Sequence, residues 1–431
     1  MLLLALLTFG LGPLCSNAEK FSVPNVNATF EKTPKPFKIN VDRAFIEDTR
    51  QRVLHARAPD FIGATTDGPA ANNFTTIRDF WVNKYNWDEA EASINDKLEQ
   101  FTILVEPVID NATYPVPLHF VHHRSPRDDA IPLLFCHGWP GSFLEVSDII
   151  NDLTQPPNET LPAFHVVAPS IPGIAFSPAP RHPGFGPVET AHAYNELMRQ
   201  LGYDKYVMQG GDIGAFILRH TAALFPKNVV SVHSNFWIQK PETNDIRRLA
   251  EGLATPDEAA FIQSIVSYMN IGSGYRLMHQ TEPLTLAYSV VDSPMGNLMW
   301  VYALMQKIID HTITRWRIDE IITWSMMYYI QGIYSSMRFY KEMVNDGDLL
   351  VLDFGTMPPV EVPIAITQFR YDLGFRMPIE WARRGGNNVL RRTLYEQGGH
   401  FAARETPDVL VNDIRQWFGD KELSGTNVFV H

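Results

Sequence analysis

Three short segments carry residue types that can do covalent chemistry. The first is Gly210-Gly211-Asp212-Ile213-Gly214, between the apolar run Tyr206-Val207-Met208 and a helical stretch. A Gly-x-nucleophile-x-Gly sequence at a strand-to-helix turn is a sharp elbow that lifts a nucleophile above a sheet, and the glycines permit its close approaches and strained dihedrals. The central residue here is Asp. A carboxylate needs no base to become nucleophilic, and attack on sp³ carbon leaves a covalent ester. In isolation the segment also fits a Gly-rich turn with Asp as a helix cap.

The second segment, His137-Gly138-Trp139-Pro140-Gly141, directly follows the apolar run Ile131–Cys136. Its glycines and proline can aim a backbone N–H, that of Trp139, at a developing oxyanion, with the N–H of Ile213 as the second donor. A plain β-turn is the competing reading, and His137 reads as structural. The third is Gly398-Gly399-His400-Phe401, after the run Val389–Tyr395. His400 comes late in the chain, where a general base belongs in the order nucleophile, acid, base. Asp372, in Phe369-Arg370-Tyr371-Asp372-Leu373, occupies the slot between them, with Asp353, Glu361 and Glu380 as weaker rivals. His119, His122 and His123 lie on a predicted strand without partnered carboxylates, so metal ligation is not expected. Neither a phosphate-cradling loop nor a dinucleotide fingerprint is present, and no cofactor is expected.

These segments need a scaffold. From residue 116 short buried strands alternate with helices: Leu118–Val121, Ile131–Cys136, Phe164–Ala168, Tyr206–Met208 and Val229–Val232, with helical stretches Val188–Leu201 and Ile213–Phe225. Such alternation predicts a mostly parallel sheet covered by helices. Residues 240–345 change character: a Thr255-Pro256-Asp257-Glu258 capping box opens a helix with Phe261, Ile265 and Met269 on one face, and further helical patterns follow without a strand. Alternation resumes with strands Val362–Phe369 and Val389–Tyr395 and a last helix capped at Thr406-Pro407, carrying Leu410, Ile414 and Trp417. Upstream, residues 19–115 form a leading region, in which Ile94, Leu98 and Phe101 share a predicted helix face and Asp88 is its predicted cap.

Composition sets the frame. The chain has 431 residues, 45% hydrophobic, enough for a large core. Lys+Arg 36 against Asp+Glu 48, net −12, argues against nucleic-acid binding. The two cysteines, Cys15 and Cys136, exclude a disulfide scaffold. Leu2 to Leu14 form an uncharged apolar run, shorter than the roughly 20 residues of a membrane span. With Ser16-Asn17-Ala18 behind it, residues 1–18 read as a secretory signal peptide cut after Ala18, a retained anchor being the alternative. Sequons at Asn27, Asn73, Asn111 and Asn158 agree with a secreted chain.

Taken together, the segments resemble an epoxide hydrolase of the α/β-hydrolase superfamily, in its microsomal-type and fungal branch. The match rests on His137-Gly-Trp-Pro-Gly-Ser-Phe143, Gln209-Gly-Gly-Asp-Ile-Gly214 and Gly398-Gly-His-Phe401, and on a leading segment from Pro36 that includes Trp87 to Phe101 and resembles that family's N-terminal domain. The resemblance implies an α/β-hydrolase fold: a mostly parallel central sheet with helices on both faces plus a helical lid insertion. The implied boundaries are 19–115 for a wrapping segment, 116–239 and 346–431 for the core, and 240–345 for the lid. It implies Asp212 as nucleophile, His400 as base, Asp372 as its orienting acid, and Tyr275 and Tyr340 as lid donors to the epoxide oxygen. The stretch Asp292-Ser-Pro-Met-Gly-Asn-Leu-Met-Trp300 also looks like that family's lid. The partners it implies are a small apolar epoxide and water; a homodimer is compatible with the sequence. A haloalkane dehalogenase, an esterase and a non-catalytic binding protein are the rival readings. Ile213, the paired tyrosines and the Asp in place of Ser weigh against the first two.

Overall fold

The computed structural model describes residues 22–63, 67–313, 316–351 and 353–429. The proposed signal segment with Cys15 lies outside the described residues.

Nine strands form one sheet: β1 (Lys35–Phe37), β2 (Gln100–Val105), β3 (Val116–His123), β4 (Ile131–Cys136), β5 (Phe164–Pro169), β6 (Tyr206–Gly210), β7 (Val229–Ser234), β8 (Ile364–Phe369) and β9 (Val389–Tyr395). Their spatial order is β1-β2-β3-β5-β4-β6-β7-β8-β9. From β5 to β9 every pairing is parallel, whereas β1, β2 and β3 are antiparallel to their neighbours. A parallel sheet must be covered on both faces, and β4 and β8 are buried at every position. At the edge, β9 carries Arg391 and Arg392, which blunt it against further pairing. Cys136 ends β4 as a buried free thiol, and burial pushes its pKa up, so it packs and is not reactive.

Seven helices between β7 and β8, from Thr243–Ala250 to Tyr334–Asn345, form the insertion above the sheet. The capping box forms: Thr255 accepts from the Glu258 N–H while Glu258 accepts from the Thr255 N–H. The helix that begins there passes into a π-helical turn, Tyr268–Gly272, so Met269 lies beyond it.

The leading region departs from its sequence pattern. Its helix is Trp87–Lys97, capped by Asn86 rather than Asp88, and it stops before Phe101. Phe101 belongs to β2 and stacks on Phe120 across the strands. An apolar spacing that runs through a helix end into a strand mimics one long helix. The region therefore adds β1 and β2 to the core sheet, and it also ties down the insertion: Arg52 pairs with Asp292, and Tyr85 shares a hydrogen bond of 3.0 Å with Thr323. Thr406 precedes the helix Pro407–Gly419, but its hydroxyl bonds back to Ala402 and does not cap, and a short helix, Lys421–Ser424, follows.

Candidate active site

Asp212 sits at the end of β6 with φ +50° and ψ −128°, a conformation that non-glycine residues rarely adopt. The elbow closes because Gly214 passes within contact of β4: a Cβ there would lie 2.2 Å from the Cys136 carbonyl oxygen. Gly138 does the same for the facing loop, since its Cβ would meet that of Asp212 at 2.4 Å. This close approach lets the Trp139 N–H donate to Asp212 Oδ1 at 2.7 Å. The Ile213 N–H also reaches that carboxylate. Burial raises the Asp212 pKa, against the opposing pull of His400 and the two N–H donors.

His400 brings Nε2 to 3.6 Å from Asp212 Oδ2 and Nδ1 to 2.9 Å from Asp372 Oδ1. Burial works against the imidazolium, but the carboxylates of Asp372, Asp212 and Glu145 outweigh it and push His400 up to about 10. The rival acids are elsewhere: Asp353 pairs with Lys240, while Glu361 and Glu380 are exposed.

Tyr275, on the helix Gly274–Thr281, and Tyr340, on Tyr334–Asn345, come down from the insertion with rings 5.9 Å apart at 87°. Tyr275 stacks on Trp139 at 5.4 Å, and the Tyr340 hydroxyl is buried without a hydrogen-bond partner. Burial raises both phenols well above the ordinary value, so both stay protonated donors. Asp212, His400, Asp372, Trp139, Ile213, Tyr275 and Tyr340 thus share one cavity of about 810 Å³, whose apolar wall includes Phe216, Phe236, Leu304, Ile308, Met343 and Phe354.

Several supporting groups have no signal in the sequence. Trp324 and Tyr328, on the lid helix Ile318–Tyr329, donate to the carbonyls of Pro140 and Gly141 and pin the loop that carries the Trp139 N–H. Asp310 accepts from the Gly398 N–H and Glu405 from the Phe401 N–H, which brackets His400. His279, one turn after Tyr275, packs edge-on against Trp139 at 4.7 Å and near Tyr340 at 5.1 Å; burial pushes its pKa down to about 3, so it is a neutral spacer. Glu145 receives the N–H groups of Gly138 and Ser142, and burial pushes its carboxyl up to about 8.

The histidines on β3 hold the fold. His119 bonds Ser170 and Gln100, His122 bonds Tyr203, and the His123 ring accepts from the Glu99 N–H. Among the described residues no group of three or more His, Cys, Asp or Glu could hold a metal ion. No described helix is long and apolar enough to cross a membrane.

Fold and site together define an α/β-hydrolase with Asp at the nucleophile elbow. The family profile for the epoxide hydrolase N terminus matches residues 34–146, and that for the α/β-hydrolase fold matches residues 131–236. The chain is 31% identical to juvenile hormone epoxide hydrolase 1 of Ctenocephalides felis, over 88% of this chain and 84% of that protein. It is 30% identical to epoxide hydrolase 1 of Sus scrofa, over 91% of this chain and 90% of that one. Among solved structures, the Aspergillus niger epoxide hydrolase matches with a TM-score of 0.75 at 26% identity, covering 94% of this chain and 99% of that one. The juvenile hormone epoxide hydrolase of the silkworm Bombyx mori matches with 0.80 at 25% identity, covering 94% and 98%. The chain belongs to the epoxide hydrolase family and is an enzyme of that class.

Proposed function

We propose that this enzyme converts an apolar epoxide to a vicinal diol through a covalent ester on Asp212. The observation that carries the proposal is the split environment of that carboxylate: Oδ1 receives the Trp139 N–H at 2.7 Å while Oδ2 faces His400 Nε2 at 3.6 Å. One oxygen is thereby held as a future oxyanion, and the other is presented to the cavity as nucleophile. Tyr275 and Tyr340 hydrogen-bond the epoxide oxygen and supply its proton as Asp212 opens the ring. His400, oriented by Asp372, then takes a proton from water as that water attacks the ester carbonyl. The N–H groups of Trp139 and Ile213 bind the resulting oxyanion, and collapse releases the diol. The apolar cavity wall supports an aryl or alkyl epoxide as the substrate class.

A single turnover in H₂¹⁸O with enzyme in excess tests the mechanism. Oxygen from Asp212 enters the first diol, so that diol is expected to carry ¹⁶O, with ¹⁸O appearing in Asp212. First-turnover diol fully labelled from solvent would refute the ester.

We further propose that residues 1–18 direct export and that Asn27, Asn111 and Asn158 carry glycans. All three side chains are exposed, and Asn111 lies at the turn of a small hairpin, which supports that reading.

A further inference from the structure

Arg276 follows Tyr275 directly and lines the same cavity, yet it is 1% exposed and has no carboxylate partner among the described residues. Its guanidinium reaches only the Asp353 carbonyl at 3.4 Å and the Met269 sulfur at 3.3 Å, while Nε has no acceptor. What faces it are two rings, Tyr268 at 5.7 Å and Phe354 at 5.3 Å. Burying a cation without a counter-charge is costly, and cation–π contacts recover only part of that cost. So placed, the cation favours any negative charge that forms nearby.

Tyr268 is where that charge can form. Its hydroxyl lies 3.2 Å from the Tyr275 hydroxyl, and it lines the cavity from the π-helical turn. We propose that Tyr268 is a third tyrosine of the ring-opening step, a relay that hands its proton to Tyr275 as Tyr275 protonates the epoxide oxygen, and that Arg276 is the positioning residue that holds the resulting phenolate. The proposal rests on the Asp212 ester reading above.

The protons balance. One C–O bond of the epoxide breaks and the ester C–O bond forms at Asp212. The freed oxygen takes the Tyr275 proton, Tyr275 takes the Tyr268 proton, and the negative charge ends on Tyr268 beside Arg276. Loss of the Asp212 charge lets His400 release its resting proton to solvent, which returns it once the carboxylate is restored. In the second step water supplies its oxygen and two protons. One proton passes through His400 to the departing diol oxygen; the other, released as Asp212 returns to a carboxylate, restores Tyr268 through water in the cavity. The ordering of the phenols agrees with this direction: burial raises both, Tyr275 well above the ordinary value, while the Arg276 charge pulls Tyr268 back down.

Stopped-flow single turnovers of the full chain with styrene oxide, quenched and weighed by mass spectrometry, resolve ester formation from ester breakdown. Tyr268→Phe and Arg276→Met are expected to slow ester formation about tenfold, a fraction of a typical general-acid contribution, and leave breakdown within about twofold. Arg276→Lys is expected to restore most of the lost rate. The wild-type enzyme supplies a readout that needs no variant: ester formation in H₂O–D₂O mixtures is expected to fall along a two-proton curve. A linear dependence, or formation rates in both variants within about twofold of wild type, overturns the relay while leaving the Asp212 ester standing. Absence of any ester in the wild-type enzyme overturns both.

Discussion

Removing the charge of Asp212 should lower the His400 pKa toward neutrality, where a fraction of the imidazole is free to act as a base. In the resting site the imidazole stands 2.9 Å from Asp372 and 3.6 Å from Asp212, and burial is outweighed so that its pKa is pushed up to about 10. At that value His400 is protonated at neutral pH and cannot take a proton from water. The proposed ester neutralises Asp212, and Asp212→Asn reproduces that charge state with almost the same shape. Two unit charges 3.6 Å apart at an effective dielectric of about 20 interact by roughly 4 to 5 kcal/mol. Charge is spread over two oxygens and two nitrogens, so about half to two-thirds of that is realised, roughly 2 to 3 kcal/mol, which lowers the His400 pKa by about 1.5 to 2.5. The variant should therefore titrate at about 7.5 to 8.5. The assay is an NMR titration of ¹³Cε1-labelled histidine, with His400→Gln identifying the resonance among 14 histidines. Stability gives a second view. A His whose folded pKa exceeds its unfolded value stabilises the fold at low pH and loses that contribution as pH rises through the folded pKa. The loss should run from about 6.5 to 10 in the wild type but be complete by about 8.5 in the variant. A variant His400 pKa within about half a unit of the wild type would refute the electrostatic account of how the base is switched on.

Two further outcomes follow from close packing and from exposure. Gly138→Ala puts a methyl group 2.4 Å from Asp212 Cβ and 2.6 Å from Oδ1, so the Asp212 side chain or the loop must shift. Turnover should fall about 100-fold, as an ångström-scale misplacement does, at a stability cost of about 1 to 3 kcal/mol; a rate within about threefold of wild type would contradict it. Asn73 lies half-buried on the helix Ala71–Asn83 and donates to the Tyr302 hydroxyl at 3.3 Å, so a glycan there would displace a lid contact. After enzymatic deglycosylation in H₂¹⁸O, peptide mass spectrometry should find label at Asn27, Asn111 and Asn158 and none at Asn73; equal labelling at all four would count against this reading.

What the amino-acid sequence determines is local. Glycines flanking Asp212 between an apolar run and a helix specify the elbow, because the turn is made by neighbouring residues and few residue types tolerate its dihedrals. The buried runs at Ile131–Cys136 and Ile364–Phe369 are legible for the same reason, as continuous apolar stretches of strand length. The leading helix ends earlier than its apolar spacing implies, because that spacing continues into β2, where Phe101 pairs with Phe120 of β3. Periodicity cannot show where hydrogen bonding passes from within a segment to a partner strand.

Tertiary structure alone decides which groups meet. The choice of Asp372 over Asp353, Glu361 and Glu380 is a matter of 2.9 Å to His400, set by where β8 ends beside the His400 loop. Trp324 and Tyr328 clamp the Pro140 and Gly141 carbonyls across more than 180 residues of chain, and Tyr268 reaches Tyr275 from the start of a π-helical turn. Such contacts follow no sequence period, since packing brings together positions that chain order leaves unrelated. The sequence therefore carries the reacting groups, while the packing of lid on core sets their charges and orientations.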